Sequence, residues 1–465
     1  MLSSFLFVEC RSTMIRNIKQ LCCMTAIVGM VTVPALNGQP LHSHSPRAIP
    51  PKSAPFQPLK WDMLPPWMTL QMELRGRTED QTAYNYISGN GRVYELTRVR
   101  GSVTMRPASW FTGYVQFHDT HALGLPLHEV AANMRDTFDF RQGYANFHYR
   151  AAQLIVGRQL LIFGDQRVVG ISNWTNNSRS WDGADLRIGK KNRIDLFTTS
   201  VVTVHPTSLD THGAGLTFHG VEGNINTLVR GTSLQPFVLI RREPLVTSQQ
   251  KIKGAENEVT PGIYFSSKLP YHFDASGTGD FQRGSYSNDS IHAGAAIIRG
   301  GYTLARSSWA PHLVLEYKYA TGNSHRNPDR ISTYDQQYPS NHNAFGLTDL
   351  FGFRNIKERR ASLSLLPMRS AFVLLQAESL HVASVMDDVY SGSGSASVKP
   401  PMMGFASDDI GTEFDASGRY LFKKHFLLQA GQGHFFPGAL MTHNQHGAPL
   451  TLMYFQVGYR YSVHH

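Results

Sequence analysis

From Trp67 onward the chain is patterned at period two. Met68, Leu70, Met72 and Leu74 alternate with Thr69, Gln71, Glu73 and Arg75. Val99, Gly101, Val103 and Met105 alternate with Arg98, Arg100, Ser102, Thr104 and Arg106. Near the C-terminus, Phe414, Ala416, Gly418 and Tyr420 alternate with Glu413, Asp415, Ser417 and Arg419, and Met453, Phe455, Val457, Tyr459, Tyr461 and Val463 with Tyr454, Gln456, Gly458, Arg460 and Ser462. Successive strand side chains point to opposite faces, so each segment has one apolar and one polar, often charged, face. The prediction is an all-β chain with little helix.

A water-soluble β-sandwich gives the same alternation, with its apolar face inward. Three features favour a transmembrane antiparallel β-barrel. The segments are roughly nine to twelve residues long, the length that a tilted strand needs to cross a bilayer. The connectors alternate in length. Tight ones fall at Arg106-Pro107-Ala108-Ser109, Arg150-Ala151-Ala152 and Gly189-Lys190-Lys191-Asn192, and long ones at 78–91, 119–137 and 161–181. Short inner turns and long extracellular loops are the expected layout. The chain also ends on an aromatic-rich strand.

Composition agrees. Of 465 residues, 40 are Gly, 19 Tyr and 26 Phe, and 17% are charged. The mean hydropathy of −0.26 fits a barrel strand, which shows lipid one side chain in two. Beyond the N-terminus no run of 18 apolar residues occurs, so entry into a membrane requires a closed barrel.

Residues 1–38 read as a signal peptide. Arg16 and Lys19 precede an apolar stretch from Leu21 to Val33, and Pro34-Ala35-Leu36-Asn37-Gly38 supplies small residues for cleavage after Ala35 or Gly38. Cys10, Cys22 and Cys23 all precede that point, so the mature chain is expected to have no disulfide and no thiol chemistry. Residues 39–60 form a Pro/Ser-rich periplasmic lead-in and 61–465 the barrel domain.

A charge on the lipid face costs about 2–4 kcal/mol at mid-bilayer, so the Arg-bearing faces must turn inward. The expected lumen contains Arg98, Arg100, Arg360, Arg419 and Arg460, with Glu316, Glu413 and Asp415, and Lys318 on the face of Glu316. Guanidinium groups bind carboxylates through paired hydrogen bonds and stay charged. Spaced along a narrow lumen, they suit an anionic solute that must bind and also leave. The same charges also suit pairing across strands to brace the wall.

GRQLLIFGDQRVVGISNWTNNSRSWDGADLRI at 157–188 resembles the bacterial alginate export family of outer-membrane proteins. So do YKYATG (317–322), YDQQYPSNHNAFGLTDLFGFRNI (334–356), IGTEFDASGRYLF (410–422) and LLQAGQGHFFPGAL (427–440), in order along 61–465. The resemblance implies a monomeric barrel of about 18 strands, a basic pore gated by long loops, and pore-lining roles for Arg158, Arg167, Asp182 and Asp349. Strand parity leaves Arg158 undecided, because Leu154 to Val156 are all apolar; its inward direction rests on the likeness.

The leading expectation is passive export or diffusion of an anionic polysaccharide or oligosaccharide, with outer-membrane lipid and periplasmic export proteins as partners. Alternatives are an anion porin, a barrel enzyme, and a plugged structural barrel. His118, His121 and His128 offer bases but sit in no catalytic pattern, and no nucleotide or zinc motif is present, so neither an enzyme nor a cofactor is expected. Trp174, Asn176 and Asn177 resemble a sugar-binding surface; an ordinary exposed loop is the preferred reading. Nucleic acid is not expected despite a pI near 9.4, because the basic residues are dispersed along many segments.

Overall fold

A computed structural model describes residues 59–60, 64–304, 307–324, 329–342, 344–423 and 425–464. The expected signal peptide and most of the lead-in lie outside the described residues.

The alternating segments become strands of one closed antiparallel barrel, eighteen among the described residues. They are β1 Met68–Gln81, β2 Arg92–Ala108, β3 Phe111–Leu123, β4 Asp136–Tyr149, β5 Ala152–Gln159, β6 Trp181–Gly189, β7 Arg193–Thr203, β8 Thr217–Asn224 and β9 Thr232–Thr247. The second half supplies β10 Lys253–Lys268, β11 Phe273–Tyr286, β12 Asp289–Thr303, β13 His312–Ala320, β14 Ile356–Met368, β15 Ala371–Val382, β16 Asp409–Phe422, β17 Phe426–Pro437 and β18 Leu450–His464. Each pairs with its sequence neighbours. β1 closes on β18 from Thr69↔His464 to Gln81↔Leu452. Leu59–Lys60 adds a short parallel pairing to the end of β18. No described helix is long and apolar enough to cross a membrane.

The faces fall as the charge argument requires. Val99 is 46% exposed on the lipid side, while Arg98 and Arg100, either side of it, are 2% and 4% exposed and point inward. Phe414, Phe455 and Val457 likewise face out, and Glu413, Asp415 and Gln456 in. At the short-turn end, Trp110 stacks on Phe147 with centroids 6.4 Å apart, and Phe426 meets Tyr459 at 4.9 Å. Such rings form the girdle expected at a membrane interface.

Several strands are longer than the sequence pattern predicts. β2 has 17 residues and β9 and β10 have 16 each. The long connectors shrink accordingly, 78–91 to 82–91 and 119–137 to 124–135. Beyond the bilayer both faces meet water or loop, so strict alternation stops while the hydrogen-bond ladder continues.

The outer half of the lumen is filled. Connectors 160–180 and 321–355 fold inward, and 383–408 packs with them. One dry cluster joins Phe345, Phe351, Phe353 and Phe405 to wall residues such as Ile297, Leu380 and Phe435. A second joins Leu161, Val169, Ile171 and Tyr338 to Trp181, Phe197, Phe218 and Phe237. Gly157 permits a tight step where β5 meets β4. Its φ is +124°, and a Cβ there would lie 2.3 Å from the Gly143 carbonyl oxygen.

The two faces should respond differently to charge. Leu375→Arg, on the lipid side, should cost roughly 2–4 kcal/mol of folding free energy in lipid vesicles. Ser417→Arg, on the lumen face of the adjoining strand, should cost much less. Equal costs in urea titrations would mean that the faces are assigned wrongly.

Candidate functional site

Strand register at the closure seam gathers the basic residues. Glu73 of β1 lies directly opposite Arg100 of β2 and Arg460 of β18, and Arg75 lies opposite Arg98. Partners directly opposite share a face, so the end-to-end closure of the chain creates an arc of lumen-facing guanidinium groups. Glu73 accepts from Arg98 at 2.5 Å and Arg460 at 3.0 Å and lies 3.7 Å from Arg100. Arg77 pairs with Glu79 at 2.6 Å. Arg141 of β4 extends the arc, donating to Gln116 at 2.8 Å and Ser178 Oγ at 2.7 Å.

Several further donors of this arc are met by main-chain oxygens of the 160–180 connector. Arg75 donates to the carbonyls of Asn173 (2.9 Å) and Thr175 (3.2 Å), Arg77 to that of Trp174 (2.7 Å), and Arg100 to that of Asn177 (2.8 Å). Arg98 reaches the Asn173 carbonyl at 3.3 Å. Arg77 also lies 3.5 Å over the Trp174 ring, whose centroid is 3.5 Å from that of the stacked His342 ring. His342 in turn bonds Asp349 at 2.8 Å. Trp174 thus clasps the 160–180 connector between the wall and the 321–355 connector.

The expectation of an exposed loop at Trp174, Asn176 and Asn177 is overturned. Asn176 and Asn177 are 0% and 1% exposed. Asn176 Nδ2 donates to the carbonyls of Thr97, Met134 and His121, and Asn177 Nδ2 to those of Ala132 and Arg135. These amides satisfy main chain that would otherwise be stranded inside the barrel.

A second stretch of wall, on β13 to β16, is acidic and holds the other connector by its donors. Glu413 accepts from the Leu347 and Thr348 amides at 2.9 and 3.0 Å, and Asp415 accepts from Leu347 at 3.1 Å. Lys318, fully buried, donates to the Ala344 carbonyl and to Glu358 and lies 3.0 Å from Glu316. Glu316 also takes Arg167 of the 160–180 connector at 2.8 Å and Arg299 at 2.8 Å. Arg360 bridges Glu378 at 2.7 Å and Glu358 at 3.1 Å. A third anchor is Asp335 of the 321–355 connector, held by Arg241 and by Arg354 at 3.2 Å. Burial alone would raise the Asp335 carboxyl, but Arg241 and Arg354 outweigh it and hold the group below its ordinary range.

Most of the residues read from the sequence therefore point into the lumen or contact the loops within it. Arg419 stands on the lumen face toward the short-turn end, exposed, 4.8 Å from the Phe372 ring. Asp349 sits in the plug beside His342. Arg158 and Asp182 are the correction. They share a face with Gly143 and Ser200 and with the lipid-side Leu154, Val156 and Ile188, so the register turns them outward at the rim. There Arg158 grips Asp182 through bonds of 2.8 and 3.0 Å and donates to the Phe140 carbonyl at 2.8 Å.

Sequence reasoning missed Glu73, Arg75, Arg77 and Arg141 as members of the arc. The first three were legible, because the β1 alternation continues past Leu74. Arg141 was not, since the register slips beside it between Gln116 and Phe117.

An eighteen-stranded barrel with an apolar outside and a charged, loop-filled inside defines a porin-like channel of the bacterial outer membrane. Solved structures share this fold. OccAB2 of Acinetobacter baumannii superposes with a TM-score of 0.57 at 10% identity, over 86% of this chain and 100% of that one. OpdQ of Pseudomonas aeruginosa gives 0.57 at 10% identity, over 85% and 98%. OccK2 (OpdF) of P. aeruginosa, solved in complex with glucuronate, gives 0.55 at 9% identity, over 85% and 96%. No curated protein sequence matches the chain. The family model described as alginate export matches residues 66–451, and the chain belongs to that family.

Trp174→Ala removes the ring contacts with Arg77, His342 and Tyr454 that clasp the connector, together about 1–3 kcal/mol. Amide hydrogen exchange over 172–178 should rise by roughly tenfold or more. Unchanged exchange would mean that the guanidinium–carbonyl bonds alone hold the loop.

Proposed function

We propose that this channel passes an anionic, uronate-like polysaccharide or oligosaccharide, with the arginine arc as its main carboxylate-binding wall. The observation that carries this reading is how the arc is satisfied. Arg75, Arg98 and Arg100 are buried, Glu73 serves three arginines, and much of the remaining donor capacity goes to neutral carbonyls of residues 173–177. Carbonyl dipoles meet the hydrogen-bonding need of a guanidinium but leave its charge uncompensated. A carboxylate in the same position would meet both, through shorter, charge-assisted bonds. When the 172–178 segment moves aside, the exposed arc attracts anions along a low-dielectric lumen.

Arg167, Glu316, Lys318, Arg360, Glu413 and Asp415 have a different role in this reading. Their mutual pairing holds the plug, and the acids on that wall limit how tightly a polyanion is retained. Arg419 and Arg460 continue a basic track toward the short-turn end. Arg158 and Asp182 brace the rim. The glucuronate bound to OccK2, a barrel of the same fold, fits this substrate class.

The test is single-channel conductance in planar bilayers, with a polyuronate and then a neutral glucan added. Anion-selective openings blocked by the polyuronate and not by the glucan are expected. Arg98→Gln with Arg100→Gln should weaken the block by about tenfold or more, from the loss of charge-assisted bonds worth about 1.5–3 kcal/mol each. Openings indifferent to both polymers would indicate a small-anion porin. Stable insertion with no conductance, even after deletion of 172–178, would defeat the channel reading.

A further inference from the structure

Three aspartates converge at the outer end of β4. Asp136 and Asp139 come from the strand, and Asp210 comes from the 204–216 connector. One carboxylate oxygen from each lies within 4.8 Å of the others. Two oxygens bound to one calcium ion at about 2.4 Å are separated by at most about 4.8 Å, so the three fit a single coordination sphere.

A second observation points to a missing ligand. Asp136 is 0% exposed. Its Oδ2 bonds His118 Nε2 at 2.5 Å, but its Oδ1, also buried, has no hydrogen-bond partner. The Asp210 side chain lies within hydrogen-bonding reach of the Asp136 carboxyl, although two carboxylates are both acceptors. Such a contact requires a shared proton or a cation between the oxygens. The nearest guanidinium is committed elsewhere, since Arg158 spends its donors on Asp182 and on the Phe140 and Asp210 carbonyls. The surroundings are hard oxygen donors without a thiol, which suits calcium.

We propose that Asp136, Asp139 and Asp210 form a binding site for one calcium ion at the outer rim of the barrel. The ion would tie the 204–216 connector to β4, bridging across β5 and β6. Asp210 is partly exposed and gives the ion a way in, and water completes the coordination. The Asp139 carboxylate is already oriented by the amides of Phe140 and Asp210, so the site is shaped before the ion arrives. His118 in turn orients Asp136.

The experiment is equilibrium dialysis with radioactive calcium. It uses the full chain refolded into detergent free of lipopolysaccharide, since lipopolysaccharide itself binds calcium. One calcium per barrel is expected, with affinity reduced by about tenfold or more in Asp210→Asn. Asp408→Asn, at the remote Lys357 pair, should leave binding unchanged. Hydrogen exchange of the wild-type chain supplies a readout that needs no variant, and residues 204–216 should be protected by calcium. No stoichiometric binding at millimolar calcium, equal binding by Asp210→Asn, or exchange indifferent to calcium would each overturn the site and assign the contact to a shared proton. None of these outcomes touches the substrate proposed for the lumen, which the conductance measurements test separately.

Discussion

Closure of β1 on β18 is the constraint on which this protein depends. Hydrocarbon offers no partner for a free N–H or carbonyl, so a sheet crosses it only without edges. The register that completes the ladder also places Glu73 between Arg100 and Arg460, opposite Arg residues from both ends of the chain. The seam is therefore both the mechanical lock of the barrel and the origin of its basic wall. Lipid on one side fixes the direction of mid-membrane charges such as Arg98 and Arg100, because the alternative orientation costs about 2–4 kcal/mol per mid-membrane residue.

The interior follows from what those inward charges then need. Buried guanidinium groups demand acceptors, and the 160–180 connector supplies carbonyls. Buried carboxylates demand donors, and the 321–355 connector supplies amides at Leu347 and Thr348. The 160–180 connector also reaches the acidic wall through Arg167 and Glu316, and the two connectors meet through Trp174 and His342. Apolar residues at the outer ends of the strands, such as Phe197, Phe218 and Phe435, complete the packing with Val169, Ile171 and Phe351. The plug is thus a small dry core inside a membrane barrel. Its polar half is held by bonds that an anionic solute can imitate, and its apolar half by contacts that such a solute cannot.

The rim obeys different physics from the lumen. Arg158 and Asp182 pair on the outward face near the mouth, while Asp136, Asp139 and Asp210 crowd beside them with a buried oxygen unmet. In the lumen, Glu73 and Glu316 find guanidinium groups, and Glu413 and Asp415 find amides. At the rim, the nearest guanidinium is already spent on Asp182 and on backbone, which is why the crowding there calls for an ion.

The sequence by itself determined the barrel, because a bilayer demands alternation at period two and writes it into β1, β2, β16 and β18. It also determined which faces turn inward, since the desolvation cost of Arg98, Arg100 or Arg460 depends on side-chain chemistry and parity alone. Family likeness located Arg167 and Asp349 in the loops. Tertiary structure decided everything that depends on how far a connector folds back. No local pattern marks Asn176 as buried or pairs Arg167 with Glu316, because those contacts join residues far apart in the chain. The family likeness misdirected Arg158, which shares the outward face of Leu154 and Val156, and parity counting failed at the slip beside Arg141. There the direction of a side chain is set by hydrogen-bond register across strands and not by its place in the sequence.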